Sequence, residues 1–109
     1  MSADGSVLAV TTIEEDSAAQ GLGGSGADNA RSNSGATYLF RRSAASWRPT
    51  AYLKALAPDG YDQFGSSVAL SGDGQTLAVG SASEDSASLG IGGDAQDNSN
   101  DGGGAVYLY

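Results

Sequence analysis

"GDGQTLAVGSASEDSASLGIGGDAQDNSNDGGGAVYLY", residues 72 to 109, runs from a turn former into a short apolar strand signal, through a long acidic glycine-rich stretch, and out on a second strand signal. Nearly the same text opens the chain. A shift of 69 positions aligns residues 2–40 with residues 71–109 without a gap, and 19 of the 39 pairs are identical. The matches include Asp4 with Asp73, Leu8-Ala9-Val10 with Leu77-Ala78-Val79, Glu15-Asp16-Ser17-Ala18 with Glu84-Asp85-Ser86-Ala87, and Gly35-Ala36 with Gly104-Ala105. Identity at glycines and apolar positions together implies one backbone built twice, the signature of a repeat architecture.

Four strand signals lie in the one complete period: "TAYLKAL" (50–56), "FGSSVALS" (64–71), "QTLAVGSA" (75–82) and "GAVYLY" (104–109). Each is rich in β-branched, aromatic or alternating apolar residues and bounded by turn formers. "SGDG" between the second and third is a tight-turn signal, because glycine and aspartate tolerate the positive φ of hairpin turns. A 69-residue period with four short strands suggests a propeller blade with one enlarged loop; a small sandwich or isolated meander is the alternative.

Composition agrees with all-β structure. Seventeen glycines among 109 residues disfavour helices, since each glycine in a helix interior costs roughly 1 kcal/mol. The net charge is −8 with no histidine, and every base lies between Arg31 and Lys54. Such a field repels phosphate backbones and anionic lipid, so nucleic-acid binding is not expected, and a cation or basic partner fits better. No apolar run is long enough to insert in a membrane, and no export signal is read at the N-terminus. The absence of cysteine excludes disulfides and thiolate sites.

The ordered series "DQFGSSVALSGDGQTLAVGS", then "EDS" through "GDAQDNS", then "GGAVYLY" resembles the FG-GAP repeat, the blade unit of integrin α-subunit propellers and of many bacterial surface proteins. Phe64-Gly65 matches the FG element, and Val79-Gly80-Ser81-Ala82 stands where the family has a Val-Gly-Ala-Pro run. The resemblance implies about one and a half blades: residues 1–46 as a partial first blade with its acidic loop at 13–34, and residues 47–109 as a fourth strand followed by most of the next repeat, with its acidic loop at 82–103. It further implies an incomplete or assembling propeller, an extracellular or cell-surface setting, and binding or adhesion to a protein or carbohydrate ligand without catalysis. A purely structural, self-assembling repeat unit is the alternative, and a calcium-binding part of a larger secreted enzyme is a weaker one.

In such a blade the acidic loops share a face with "APDGYDQ" at 57–63. Glu84, Asp85, Asp94, Asp59 and Asp62 are the candidate ligand-face residues. The usual calcium loop of the family is missing from "LSGDGQT", where Asp73 alone cannot supply a shell of about six to eight oxygens. A half-motif occurs elsewhere: Asp97, Ser99 and Asp101 have the i, i+2, i+4 spacing of calcium ligands, with Gly102 at the turn position. Its twelfth position is Tyr109 rather than glutamate, and the first copy has Asp28, Ala30 and Ser32. The favoured reading is a polar turn whose carboxylates accept backbone amides; Ca2+ is the ion it would otherwise take. Glu15-Asp16 and Glu84-Asp85 are expected to tie down their loops in the same way.

"GLGGSG" at 21–26 meets a dinucleotide-loop pattern, but no helix signal follows it. Trp47, Tyr52 and Phe64 are expected in the core, Tyr38 and Tyr107 as packing residues with hydroxyls near solvent, and Arg41-Arg42 at an outer edge. Asp59 and Asp62 are placed in an exposed turn, and with no histidine or cysteine the chain offers no familiar catalytic constellation.

Overall fold

The computed structural model describes residues 1–109. It is all-β: strands β1 (Val7–Thr12), β2 (Ala36–Ser43), β3 (Ser46–Leu53), β4 (Phe64–Leu70), β5 (Leu77–Ser81) and β6 (Ala105–Leu108). They form two antiparallel three-stranded sheets, ordered β1-β2-β3 and β4-β5-β6. The repeat is visible in the register, since Val10 faces Tyr38 and Val79 faces Tyr107. By sheet membership β3 belongs with β1 and β2, and the linker after Leu53 joins the two sheets.

Turn chemistry is duplicated along with the strands. Ser71 Oγ donates to Asp73 Oδ1 at 2.6 Å, and that oxygen accepts the Gln75 amide at 3.1 Å. Ser2, Asp4 and Ser6 repeat the arrangement at 2.7 and 2.9 Å. Gly5 and Gly74 supply the left-handed residue, with φ of 67° and 69°. These bonds explain why the Asp4 carboxyl is held down at about 2, the hydrogen bond from Ser2 being the largest cause.

β3 starts earlier than the sequence suggests. Pro49 lacks an amide donor and argues against a strand, yet it lies within β3, an edge strand, at a register shift opposite Leu39 and Phe40. The bulge absorbs the missing hydrogen bond. The extension carries Trp47 out to the β2–β3 turn beside Arg42, where it is 39% exposed; its expected place in the core is therefore corrected.

The core lies where the sheets meet and consists of Leu53, Ala55, Phe64, Leu77 and Val79. Phe64 is fully buried and meets Tyr107 and Tyr109 edge-on, with ring centroids 5.4 and 6.3 Å apart. Its backbone is stitched to the first sheet, the Phe64 amide donating to Ser34 O at 3.0 Å and Gln63 to Asn33 O at 3.2 Å. Gly35 makes this approach feasible: its φ is 82°, and a Cβ there would collide with the Phe64 backbone.

Candidate functional site

The two long loops are wired alike. Gly35 and Gly104 donate to the carbonyls of Glu15 and Glu84 at 2.9 and 2.7 Å, and Arg31 and Asn100 donate to those of Asp16 and Asp85 at 2.7 and 2.8 Å. The side chains repeat the pattern. Asp16 Oδ1 accepts the Asn33 amide and Asp85 Oδ1 the Gly102 amide, both at 2.7 Å. Asp28 Oδ1 clamps the Ala18 and Ala30 amides at 3.0 and 3.1 Å. Much of the loop acidity thus satisfies backbone donors that a long irregular segment would otherwise leave to water.

The calcium half-motif is placed by the same logic. Asp97 Oδ1 accepts the Ser99 amide and Oδ2 the Ala87 amide, each at 3.1 Å. Hydrogen bonding from Ser99 and then Ala87 holds the Asp97 carboxyl below its ordinary value. Asp101 lies exposed in the following turn. No three or more Asp, Glu, His or Cys side chains converge as metal ligands.

The linker at 57–63 runs between the two loops, as the alternation of loops between faces leads one to expect. Asp59 joins them: Oδ1 pairs with Arg31 at 2.9 Å and Oδ2 accepts Asn98 Nδ2 at 2.6 Å. In the second loop Asp85 is half-buried, and Asp94 is exposed and accepts the Gln96 amide at 3.0 Å. Arg31 is therefore the basic residue of an otherwise acidic surface.

Asp62 and Glu84 are not presented there. Each is 2% exposed. Asp62 turns inward because its Oδ2 caps the Asp59 amide at 2.7 Å, while its carbonyl receives Ser81 Oγ at 2.8 Å and the Ser83 amide at 3.2 Å. Its expected place in an exposed turn is thus corrected. Burial pushes its carboxyl above the ordinary value, with Asp59, Glu84 and Asp85 adding like charge against the opposing Asp59 amide. Glu84 Oε2 accepts the Ser86 amide and hydroxyl at 3.2 and 3.0 Å.

The sequence reading missed Lys54. Its side chain is fully buried, and Nζ donates to Glu15 Oε2 and to Ser34 Oγ, both at 2.6 Å. Tyr52 completes the cluster, its hydroxyl lying 2.7 Å from Ser17 Oγ. Burial alone would raise the Glu15 carboxyl, but the hydrogen bond and charge of Lys54, helped by Tyr52 and Ser17, hold it below the ordinary value. One signal could have found the pair: Lys54 is the only lysine, within "YLKAL", an apolar strand signal. Tyr107 also departs from expectation, since its hydroxyl is buried and has no hydrogen-bond partner. Burial, then Glu84 and Asp62, raise its pKa.

Comparison of the chain with family models, curated proteins and solved structures found no match. No helix is long and apolar enough to cross a membrane.

Proposed function

We propose that this chain is a non-catalytic module of FG-GAP propeller type that binds a protein or carbohydrate ligand outside the cell through its loop face. The observation that carries the reading is the side-by-side placement of both long loops and the 57–63 linker, tied through Asp59 to Arg31 and Asn98. Loops held on a rigid sheet scaffold are where binding residues concentrate, and Asp59 lies there beside Arg31, with Asp85 and Asp94 carried by the second of the two loops. Two sheets of three strands in repeated register are consistent with neighbouring blades. A cationic or hydroxyl-rich ligand suits such a surface.

The test is binding of the chain to immobilised glycans and basic peptides, with calcium and with chelator, alongside a variant in which residues 86–101 are replaced by a short Gly-Ser turn. Binding lost in the variant with the far-UV spectrum preserved supports the proposal. Binding that survives loop replacement, or no binding to either panel, overturns it.

A second reading, a self-assembling structural repeat unit, is favoured by the edge strands β1, β4 and β6, which pair with a strand on one side only. It expects a discrete mass that is a multiple of 10.8 kDa, and light scattering that finds a monomer at all concentrations excludes it.

A further inference from the structure

In the first copy, the end of β3 runs between β2 and the returning long loop. Tyr52 faces Tyr38 across β2, while on the other side the Lys54 amide donates to Gly21 O at 2.9 Å and the Gly23 amide to Tyr52 O at 2.9 Å. Side chains complete the fit: the Tyr52 ring lies 5.2 Å from that of Tyr38, and Lys54 reaches Glu15. The strand therefore has hydrogen-bonding partners on both edges and an ion pair at its end.

The second copy builds the same seat and leaves it open. Tyr107 stands for Tyr38, Glu84 for Glu15, Ser86 for Ser17 and Gly90–Gly92 for Gly21–Gly23. No strand pairs with the outer edge of β6. Between that edge and the loop lies a groove of about 970 Å³. Leu89, Ile91, Val106 and Leu108 are 69% to 107% exposed. One polar group is left as it would be if a partner had been removed: buried Glu84 keeps the Ser86 contacts equivalent to those of Glu15 but has no cation.

We infer that this groove docks an extended polypeptide strand of aromatic-x-lysine chemistry, its main chain pairing with β6 and with Gly90–Gly92 and its lysine pairing with Glu84. Strand addition of this kind takes affinity from main-chain hydrogen bonds and specificity from alternate side chains. The register follows from the first copy: the aromatic residue sits opposite Tyr107, and the lysine two positions on reaches the carboxylate. Gly103 stands where Ser34 does, so Glu84 alone receives the ammonium. A second β6 would be a poor occupant, because the chain has no Lys or Arg after Lys54 and would bring no cation to Glu84. A second copy's β3 is already held in its own sheet. The second long loop forms one wall of the groove, but the proposal rests on pairing with β6 and Glu84 and not on ligand binding at Asp59 and Arg31.

The experiment titrates the intact chain against a fluorescent peptide, SWRPTAYLKALA, corresponding to residues 46–57. Saturable one-to-one binding is expected, with slowed hydrogen exchange at Val106 and Leu108. Those amides point away from β5, because Leu77 and Tyr109 form a hydrogen-bonded pair and antiparallel pairs alternate. Lys54→Met in the peptide alone should weaken binding about tenfold or more, without touching the folding of the protein, and Glu84→Gln in the chain should remove that preference. Absence of saturable binding, equal affinity for the Met peptide, or binding without protection at the two amides overturns the proposal. So does self-association that buries those amides and that the peptide does not reverse.

Discussion

Lys54→Met takes the cation out of a site where the lysine side chain is fully buried and Glu15 only 13% exposed. Breaking a buried pair by removing one partner costs about 3–5 kcal/mol, because the other charge is left without compensation. Glu15 keeps its Ser17 contacts and some access to water, which places the loss near the lower end, about 3 kcal/mol. Against a total stability of about 5–15 kcal/mol, that is a large fraction. At about 4–8 °C per kcal/mol for a domain near this size, the midpoint should fall by about 12–24 °C.

The pH dependence gives the loss a signature. In the parent, the Glu15 carboxyl lies below its ordinary value of 4.5. The unfolded chain therefore binds the proton more readily, and this contribution is complete above about 4.5 and lost as pH falls through the folded value. In Lys54→Met the contribution is gone, so the gap between parent and variant should be widest at neutral pH and close below 4.5. Urea denaturation followed by far-UV circular dichroism at pH 7 and at pH 3.5 measures both. Adding Glu15→Gln should recover much of the loss at pH 7. A cost under about 1 kcal/mol that does not change with pH would refute the reasoning, since a paired buried charge cannot be removed so cheaply.

Phe64→Ala should cost about 3–5 kcal/mol in urea denaturation, as it empties the contact between sheets. Gly35→Ala should cost at least about 2 kcal/mol from its left-handed backbone and the collision with Phe64, whereas Gly23→Ala, with nothing near its Cβ position, isolates the backbone contribution alone. Asp62→Asn should stabilise the chain at neutral pH, because a carboxyl held above its ordinary value of 3.8 opposes folding when ionised. That gain should disappear as pH falls below 3.8, and a chemical melt showing the opposite sign would count against the buried placement. Asp28→Ala should speed hydrogen exchange at the Ala18 and Ala30 amides while leaving those of β1 and β2 unchanged.

The repeat carried most of what could be read without coordinates. Turn residues such as Asp4 and Asp73 act over two to five positions, so their hydrogen bonds follow from local spacing, and the same holds for the nearer half of the Asp28 and Asp97 clamps, the bonds to the Ala30 and Ser99 amides. Equal spacing of apolar and glycine positions in both copies dictated strands of equal register. The placement of both acidic loops beside residues 57–63 needed only the alternation of an antiparallel meander.

What the chain spacing could not decide were contacts between distant segments. Lys54 meets Glu15 across 39 positions, and only the way β3 runs under the returning loop makes that lysine a buried partner rather than a solvated charge. Asp62 is buried because β5 closes over it, Ser81 and Ser83 reaching its carbonyl, while its neighbour Asp59 stays on the surface. Trp47 is exposed because the bulge at Pro49 lets β3 extend past the core. Local pattern determined the strands, turns and loop clamps, since their energies depend on near neighbours. Tertiary packing decided which charges are buried and which seat stands open, because desolvation depends on everything that closes around a group and not on its place in the sequence.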